Sequence, residues 1–213
     1  MIPPMDFSRM TGNGEFDVRL IEASVADGNV SLYELLVINS LVRLKKPATI
    51  FEIGTFNGRT ALNMSANSDA GTVIFTLDLP AQDLEKTQFA LDEIERKFVS
   101  KPASGTKFTG RPEAKKITQL YGDSAKFDFS KFENTIDLVF VDASHAYEYV
   151  LNDSKIALRL LRKGKGVILW HDYNRGVWWP GVTRALDELY QSARDFSKLT
   201  HFEGTSLACL IKD

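Results

Sequence analysis

The sequence predicts an α/β fold, doubly wound around a mostly parallel sheet, and three observations predict it. From Ala48 onward, short apolar runs alternate with segments of helical periodicity. The runs TVIFTLDL, IDLVFVD and GVILW are continuous instead of alternating in polarity, as strands covered on both faces are. In ATIFEIGTFNGRTALNMSA, Ala48 to Ala66, an apolar run ends in an acid, then a glycine loop, then a helix. Open α/β sheets meet their ligands at such a place, beyond the carboxyl ends of the strands.

The chain has 213 residues, room for one sizeable domain, and 44% of them are hydrophobic, enough to fill its core. Residues 1–47 read as a helical extension or cap in front of a 48–213 domain. Within the extension DVRLIEA reads as helical, and the stretch is expected to be a lid, a dimer contact or a frayed end. Ser31 and Glu34 form the S-x-x-E pattern of a capping box, opening a helix over 31–45 with Leu35, Ile38, Leu41 and Val42 at helical spacing.

After the first strand come a helix from Arg59 to Ser68, the strand TVIFTLDL, and a helix from about Gln82 to Val99 with Leu84, Leu91, Ile94 and Phe98 on one face. The stretch SKPASGTKFTGRPEAKK, 100–116, is a loop longer than compact folds usually carry, so it is either a lid, a binding loop or solvated surface. Three units follow: ITQLYGD with a short connector, IDLVFVD with a helix from Tyr147 to Arg162, and GVILWHD with a helix from Val182 to Ala193. THFEGTSLACLI reads as two strands around a Glu203, Gly204 turn, an antiparallel hairpin that closes the sheet. Counted together, these make a Rossmann-like, mostly parallel seven-stranded sheet with helices on both faces.

Bulk properties exclude several roles. The formal net charge of -2 offers no basic footprint for a phosphate backbone, so nucleic acid is not the expected partner. The single cysteine, Cys209, cannot form an internal disulfide or a cysteine metal site and reads as core filling. There is no leader-like start and no bilayer-length apolar run, which predicts a cytoplasmic protein without a membrane partner.

In the glycine loop, Gly54 and Gly58 enclose Thr55, Phe56 and Asn57, without the middle glycine that lets GxGxxG touch a pyrophosphate. No GxxxxGK(S/T) loop occurs either. A wider loop that offers side chains suits a nucleoside ligand with an amino-acid end and no phosphate, such as S-adenosylmethionine. Glu52, inside an apolar strand, needs a partner, either backbone amides or a ligand ammonium, because a buried carboxylate is costly alone.

Glu52 with the GTFNG loop, Asp78 ending the second strand, GDS at Gly122 to Ser124, VDASHAY and HDY together resemble the class I S-adenosylmethionine-dependent methyltransferases. Within these the chain resembles the small bacterial group called methyltransferase family 24, over roughly residues 48 to 212. The resemblance implies S-adenosylmethionine as cofactor, its methionine part against Glu52, Gly54, Thr55, Phe56, Asn57, Gly58 and Thr60. It puts the ribose on Asp78 beside Leu79, and the adenine at Gly122, Asp123 and Ser124, with Asp142 and Ala143 completing the site. A helix cap is the structural alternative for Asp78, and ordinary turn chemistry that for the GDS segment.

Methyl transfer to oxygen is an in-line displacement, so the protein aligns the partners and removes a proton. His145 is the expected general base, with Asp142 as its catalytic companion. A second device is a divalent metal, magnesium or manganese, on Asp142, His171 and Asp172. Catechol O-methyltransferases are similar there but carry Asp with an Asp-Asn pair, and an imidazole suits magnesium less well.

The plain structural readings are a helix-start His145, a core His171 beside Trp170, and a structural His201. The aromatic loop WHDYNRGVWWPGV places His171, Tyr173, Trp178 and Trp179 with His145 around an acceptor hydroxyl of a sugar, polyketide or phenol, unless its rings form core or a homodimer contact. Competing readings are a cofactor-binding scaffold without catalysis and a nicotinamide oxidoreductase of similar fold, the latter disfavoured by the missing middle glycine.

Overall fold

The computed structural model describes residues 1–213 apart from Asn13, Val25 and Val177. Eight strands form one sheet: β1 Pro4–Met5, β2 Thr49–Ile53, β3 Val73–Asp78, β4 Ile117–Tyr121, β5 Leu138–Val141, β6 Gly166–Trp170, β7 Thr200–Phe202 and β8 Ala208–Lys212. Their order is β1-β7-β8-β6-β5-β2-β3-β4. All neighbours run parallel except β8, which is antiparallel to both β6 and β7. The helices are α1 Ser8–Thr11, α2 Leu32–Lys45, α3 Arg59–Asn67, α4 Glu93–Val99, α5 Tyr147–Leu160 and α6 Pro180–Ser192.

Successive strand residues feed opposite cores, which is why the runs are apolar throughout. Ile50, Ile74, Phe140 and Leu169 pack with Leu35, Ile38, Leu41 and Val42 of α2. Phe51, Val139 and Ile168 pack with Ile156 and Leu160 of α5 and Leu186 and Leu189 of α6 on the other face. Each such side chain, removed from water, contributes about 1.5–3 kcal/mol before entropy is counted. Helix α2 is nucleated as its sequence predicts: Ser31 accepts from the Glu34 N–H while Glu34 accepts from the Ser31 N–H.

The first 47 residues are part of the sheet and its cover. Pro4 and Met5 pair with His201 and Phe202, adding an eighth strand that shields the hairpin's outer edge. Ile2 is buried, its N–H donated to the Tyr173 hydroxyl at 3.0 Å and to Asp187 at 3.1 Å. The DVRLIEA segment is irregular, not helical, with Glu22 at φ +56°. Two asparagines on α3 replace the hydrogen bonds a helix would have made. Asn67 accepts from the Arg19 N–H and donates to its carbonyl, both at 2.8 Å, and Asn63 does the same for Ile21 at 2.9 Å.

Two further elements depart from expectation. The 82–99 helix is broken into a 3-10 turn, Ala81–Lys86, and the short α4. Asp123 accepts the Gln88 N–H at 2.7 Å, holding the intervening stretch open, and Asp92 with Glu95 forms a second capping box that starts α4 afresh. The 100–116 loop folds back on the glycine loop, with Gly105 N–H on the Phe56 carbonyl and Lys107 N–H on the Asn57 carbonyl, before a 3-10 turn at Pro112–Lys116. Cys209 is buried in β8, and no helix among the described residues is long and apolar enough to cross a membrane.

Replacing Asn63 by alanine strips both the N–H and the carbonyl of Ile21 of their partners. The expected result is a loss of roughly 1–3 kcal/mol in urea unfolding and faster proteolytic cutting within 15–24. Unchanged stability and cutting would refute this role for the amide.

Candidate active site

The carboxyl ends of five neighbouring strands converge where the strand order reverses at β2, and they border a cavity of about 400 Å³. Of the residues expected from sequence, Gly54, Phe56, Asp78, Leu79, Gly122, Asp123, Ser124, Asp142, Ala143, His145, His171, Asp172 and Trp179 line it. Glu52, Thr55, Asn57, Gly58 and Thr60 stand behind the wall instead. Tyr173, whose hydroxyl donates to Asp187 at 2.8 Å, and Trp178, which is exposed to solvent, are also absent from the lining.

The glycine loop is shaped by packing as much as by ligand. At Gly54, φ is +101° and a Cβ would lie 1.9 Å from the Asp142 carbonyl oxygen, so only glycine lets the ends of β2 and β5 approach. Gly58 starts α3 with φ +82°, and a Cβ there would lie 2.6 Å from the Phe108 ring. Glu52 accepts a hydrogen bond from the Thr76 hydroxyl. Burial drives its pKa well above the ordinary carboxylate range against the Thr76 hydrogen bond, with the charges of Asp142 and Asp78 adding to the rise.

Asp78 is no helix cap. Its Oδ1 accepts from the Thr55 and Phe56 N–H groups at 3.3 and 3.4 Å, and its Oδ2 meets Ser104 and the Lys101 ammonium, the latter at 2.6 Å. Asp123 does the hydrogen bonding of its turn at the cavity's edge. It accepts from the Ala125 N–H and the Tyr149 hydroxyl, each at 2.9 Å, and also lines the cavity.

At the other end of the cavity, carboxylates and imidazoles alternate. His171 Nδ1 lies 3.0 Å from Asp142 and 3.1 Å from Asp172, and its Nε2 lies 3.3 Å from Glu34 of α2. His145 Nε2 lies 2.8 Å from Asp172, its Nδ1 is 3.5 Å from Glu95 of α4, and its ring stacks on Trp179 at 3.8 Å.

Burial opposes charging His171, but Asp142, Asp172 and Glu34 outweigh it and raise its pKa well above the ordinary value. For His145 burial is likewise overcome, by the hydrogen bond to Asp172 and the nearby Glu95 carboxylate, and the pKa rises to about 9. The same contacts hold Asp172, Glu34 and Glu95 below the usual carboxylate range in spite of burial. Asp172 has φ +62°, a left-handed conformation uncommon outside glycine and typical of strained functional turns.

Asp142, His145 and Asp172 each offer one ligand atom, all within 4.8 Å of one another. Two carboxylates and an imidazole fit a divalent cation of the manganese or iron(II) kind. This set differs from the expected one in its histidine. The second nitrogen of His171 is committed to Glu34, and its ring is buried among three acids.

The sequence reading missed the wall supplied by Ala26 to Asn29, by Leu91, Glu95, Phe98 and Lys101, and by Arg175. For Glu95 a signal existed: D-x-x-E at Asp92 marks a helix start inside what reads as one long helix. Altogether six acids, Asp27, Asp78, Glu95, Asp123, Asp142 and Asp172, face the cavity against Lys101, Arg175 and the two histidines.

The doubly wound sheet, glycine loop, strand-end acids and open cavity agree with the resemblance to class I methyltransferases. Residues 51–173 match methyltransferase family 24, a methyltransferase domain. The chain belongs to that family of S-adenosylmethionine-dependent methyltransferases.

Its fold is similar to that of TomG, an O-methyltransferase of tomaymycin synthesis from Streptomyces achromogenes, solved with S-adenosylmethionine. That TM-score is 0.61 at 17% identity, over 89% of this chain and 84% of that one. It is also similar to the Podospora anserina methyltransferase PaMTH1, solved with S-adenosylhomocysteine, with TM-score 0.59 at 20% identity over 88% and 81%. By sequence it is 27% identical over 146 residues to the uncharacterized protein R132 of Acanthamoeba polyphaga mimivirus. That match takes in 68% of this chain and 60% of the viral protein's length.

Beneath Ser124, Asp153 of α5 is completely buried, with one oxygen unpartnered. Burial raises its pKa to about 7, against hydrogen bonds from Ser124 and Asn152. The folded state therefore holds this proton more tightly than the unfolded chain, and stability falls as pH rises from about 4 to about 7. Asp153→Asn removes that loss, by up to about 4 kcal/mol. Its melting temperature is expected to exceed wild type by much more at pH 8 than at pH 4.5, and a pH-independent difference would contradict the assignment.

Proposed function

We propose that the protein transfers the methyl group of S-adenosylmethionine to a hydroxyl oxygen of a small-molecule acceptor, a sugar, polyketide or phenol. The observation that carries this reading is the convergence of Asp142, His145 and Asp172 in the same cavity as Asp78. On this reading Asp78 accepts from the ribose hydroxyls, Gly122 to Ser124 border the adenine, and Gly54 with Phe56 borders the methionine part. The acceptor sits at the opposite end, against His145 and Trp179.

In-line transfer needs the hydroxyl aligned with the methyl and relieved of its proton. The His145–Asp172 pair receives that proton as a unit. In the structure both ring nitrogens of His145 are turned to carboxylates, so the ring holds its own proton until it is titrated. With the pKa raised to about 9, the ring becomes a competent acceptor as pH rises. The turnover number is therefore expected to climb from pH 7 towards 9.

Asp142, His145 and Asp172 would also hold a divalent cation, which when bound supplies positive charge that acidifies an acceptor hydroxyl. Turnover lost on chelation, restored by manganese and accompanied by a flat pH profile over 7 to 9, would favour that arrangement over the imidazole.

Calorimetry and methyl-transfer assays on an acceptor panel test the roles separately. Asp78→Ala is expected to weaken S-adenosylmethionine binding roughly tenfold to a hundredfold, as for loss of hydrogen bonds to a charged group. His145→Ala is expected to leave that affinity intact and lower turnover by about 10²–10⁴. Equal loss of binding in both variants would sink the division of roles.

A further inference from the structure

We infer that Glu95 is a positioning residue for the transfer, holding the loop that carries His145 and the imidazole itself; this rests on the role given to His145 above. A carboxylate this deeply buried, 5% exposed, is uncommon without partners that use it. Its Oε2 does local work, accepting the Asp92 N–H at 3.1 Å in the capping box that starts α4. The other oxygen, Oε1, is not needed there and reaches some fifty residues along the chain. It accepts from the Ser144 hydroxyl at 2.7 Å and from the His145 backbone N–H, and stands 3.5 Å from His145 Nδ1.

The imidazole is hydrogen-bonded at Nε2 and has a carboxylate 3.5 Å from Nδ1, while its loop is tied to that same carboxylate. Asp172 faces Nε2 and Glu95 faces Nδ1, while Trp179 covers one ring face. A ring fixed in this way keeps one orientation, and small misplacements of a reacting group cost large factors in rate. Capping α4 does not require the contacts to Ser144 and His145.

Glu95 also couples two halves of the cavity. Phe98 and Val99 on the same helix, with Leu91 before it and Lys101 after it, form the wall beside Asp78. Phe98 packs edge-on against Phe56 of the glycine loop at 5.7 Å, and Lys101 pairs with Asp78. Docking of α4 against the cofactor end therefore sets the imidazole at the acceptor end.

Three readouts on Glu95→Gln test this: calorimetry with S-adenosylmethionine, steady-state kinetics, and nitrogen-15 spectra of the histidine rings. The chain has three histidines, so His145→Ala and His201→Ala assign the spectrum. The glutamine keeps an acceptor for Ser144 and the backbone but removes the anion from Nδ1. The expected result is a fall in kcat of roughly tenfold or more, with cofactor affinity and acceptor KM within about threefold of wild type. The His145 ring signals should shift while those of His201 stay.

Unchanged kcat with unmoved His145 signals would reduce Glu95 to a helix cap and overturn the inference. So would a loss of cofactor affinity that matches the loss of turnover. If the wild-type protein turns over no acceptor, the ring spectrum still decides the role of Glu95, and the failure falls on the proposed reaction alone.

Discussion

The Glu34 carboxylate joins three parts of the chain that are far apart in sequence. It accepts the Ser31 N–H at the start of α2, accepts both the N–H and the hydroxyl of Ser206 in the C-terminal hairpin, and faces His171 beyond β6. Burial works against its charge, and the His171 and Ser206 contacts keep it ionised. The line of charge does not stop there. It continues through His171 to Asp142 and Asp172, then through His145 to Glu95, so that α2, β5, β6 and α4 are held by one alternating series. Removing any one member leaves a buried neighbour without its counter-charge, a costlier defect than the loss of a surface pair.

The sheet explains why this series lies where it does. Parallel strands bring their carboxyl ends to one edge, and the reversal of order at β2 opens a cleft between the loops that follow. The contact of Gly54 with the Asp142 carbonyl closes the floor of that cleft, and Asp78, fastened by two N–H groups of the glycine loop, forms its side. Asp78 and the alternating series of carboxylates and imidazoles then face each other across one cavity.

Much of this was legible in the sequence, for reasons that particular residues make plain. The central strands announce themselves because both of their faces are buried, as Ile50 and Phe51 are in opposite cores. Asp78, Asp142 and Asp172 could be singled out because acids that end apolar runs have few structural uses. The edge strand at Pro4 and Met5 could not, since two residues carry no periodicity and its existence depends on β7.

DVRLIEA has helical spacing, yet two side-chain amides from α3 override it. Tyr173 and Trp178 were expected at the acceptor because aromatic density says nothing about direction. In fact one points to Ile2 and the other to water. Glu34 and Glu95 were hidden for a different reason: a capping box already explains each, and their second contacts are long-range.

The surplus of acids around the cavity bears on what happens after transfer. S-adenosylmethionine carries a sulfonium cation, whereas the spent cofactor is a neutral thioether. Walls bearing six carboxylates against two permanent cations and two imidazoles attract the first more than the second. On the proposed reading, transfer discharges the group that the wall attracts, and the spent cofactor is held less tightly than the donor. The same attraction weakens as the positive charge spreads in the transition state, so part of the grip on the donor works against the chemical step.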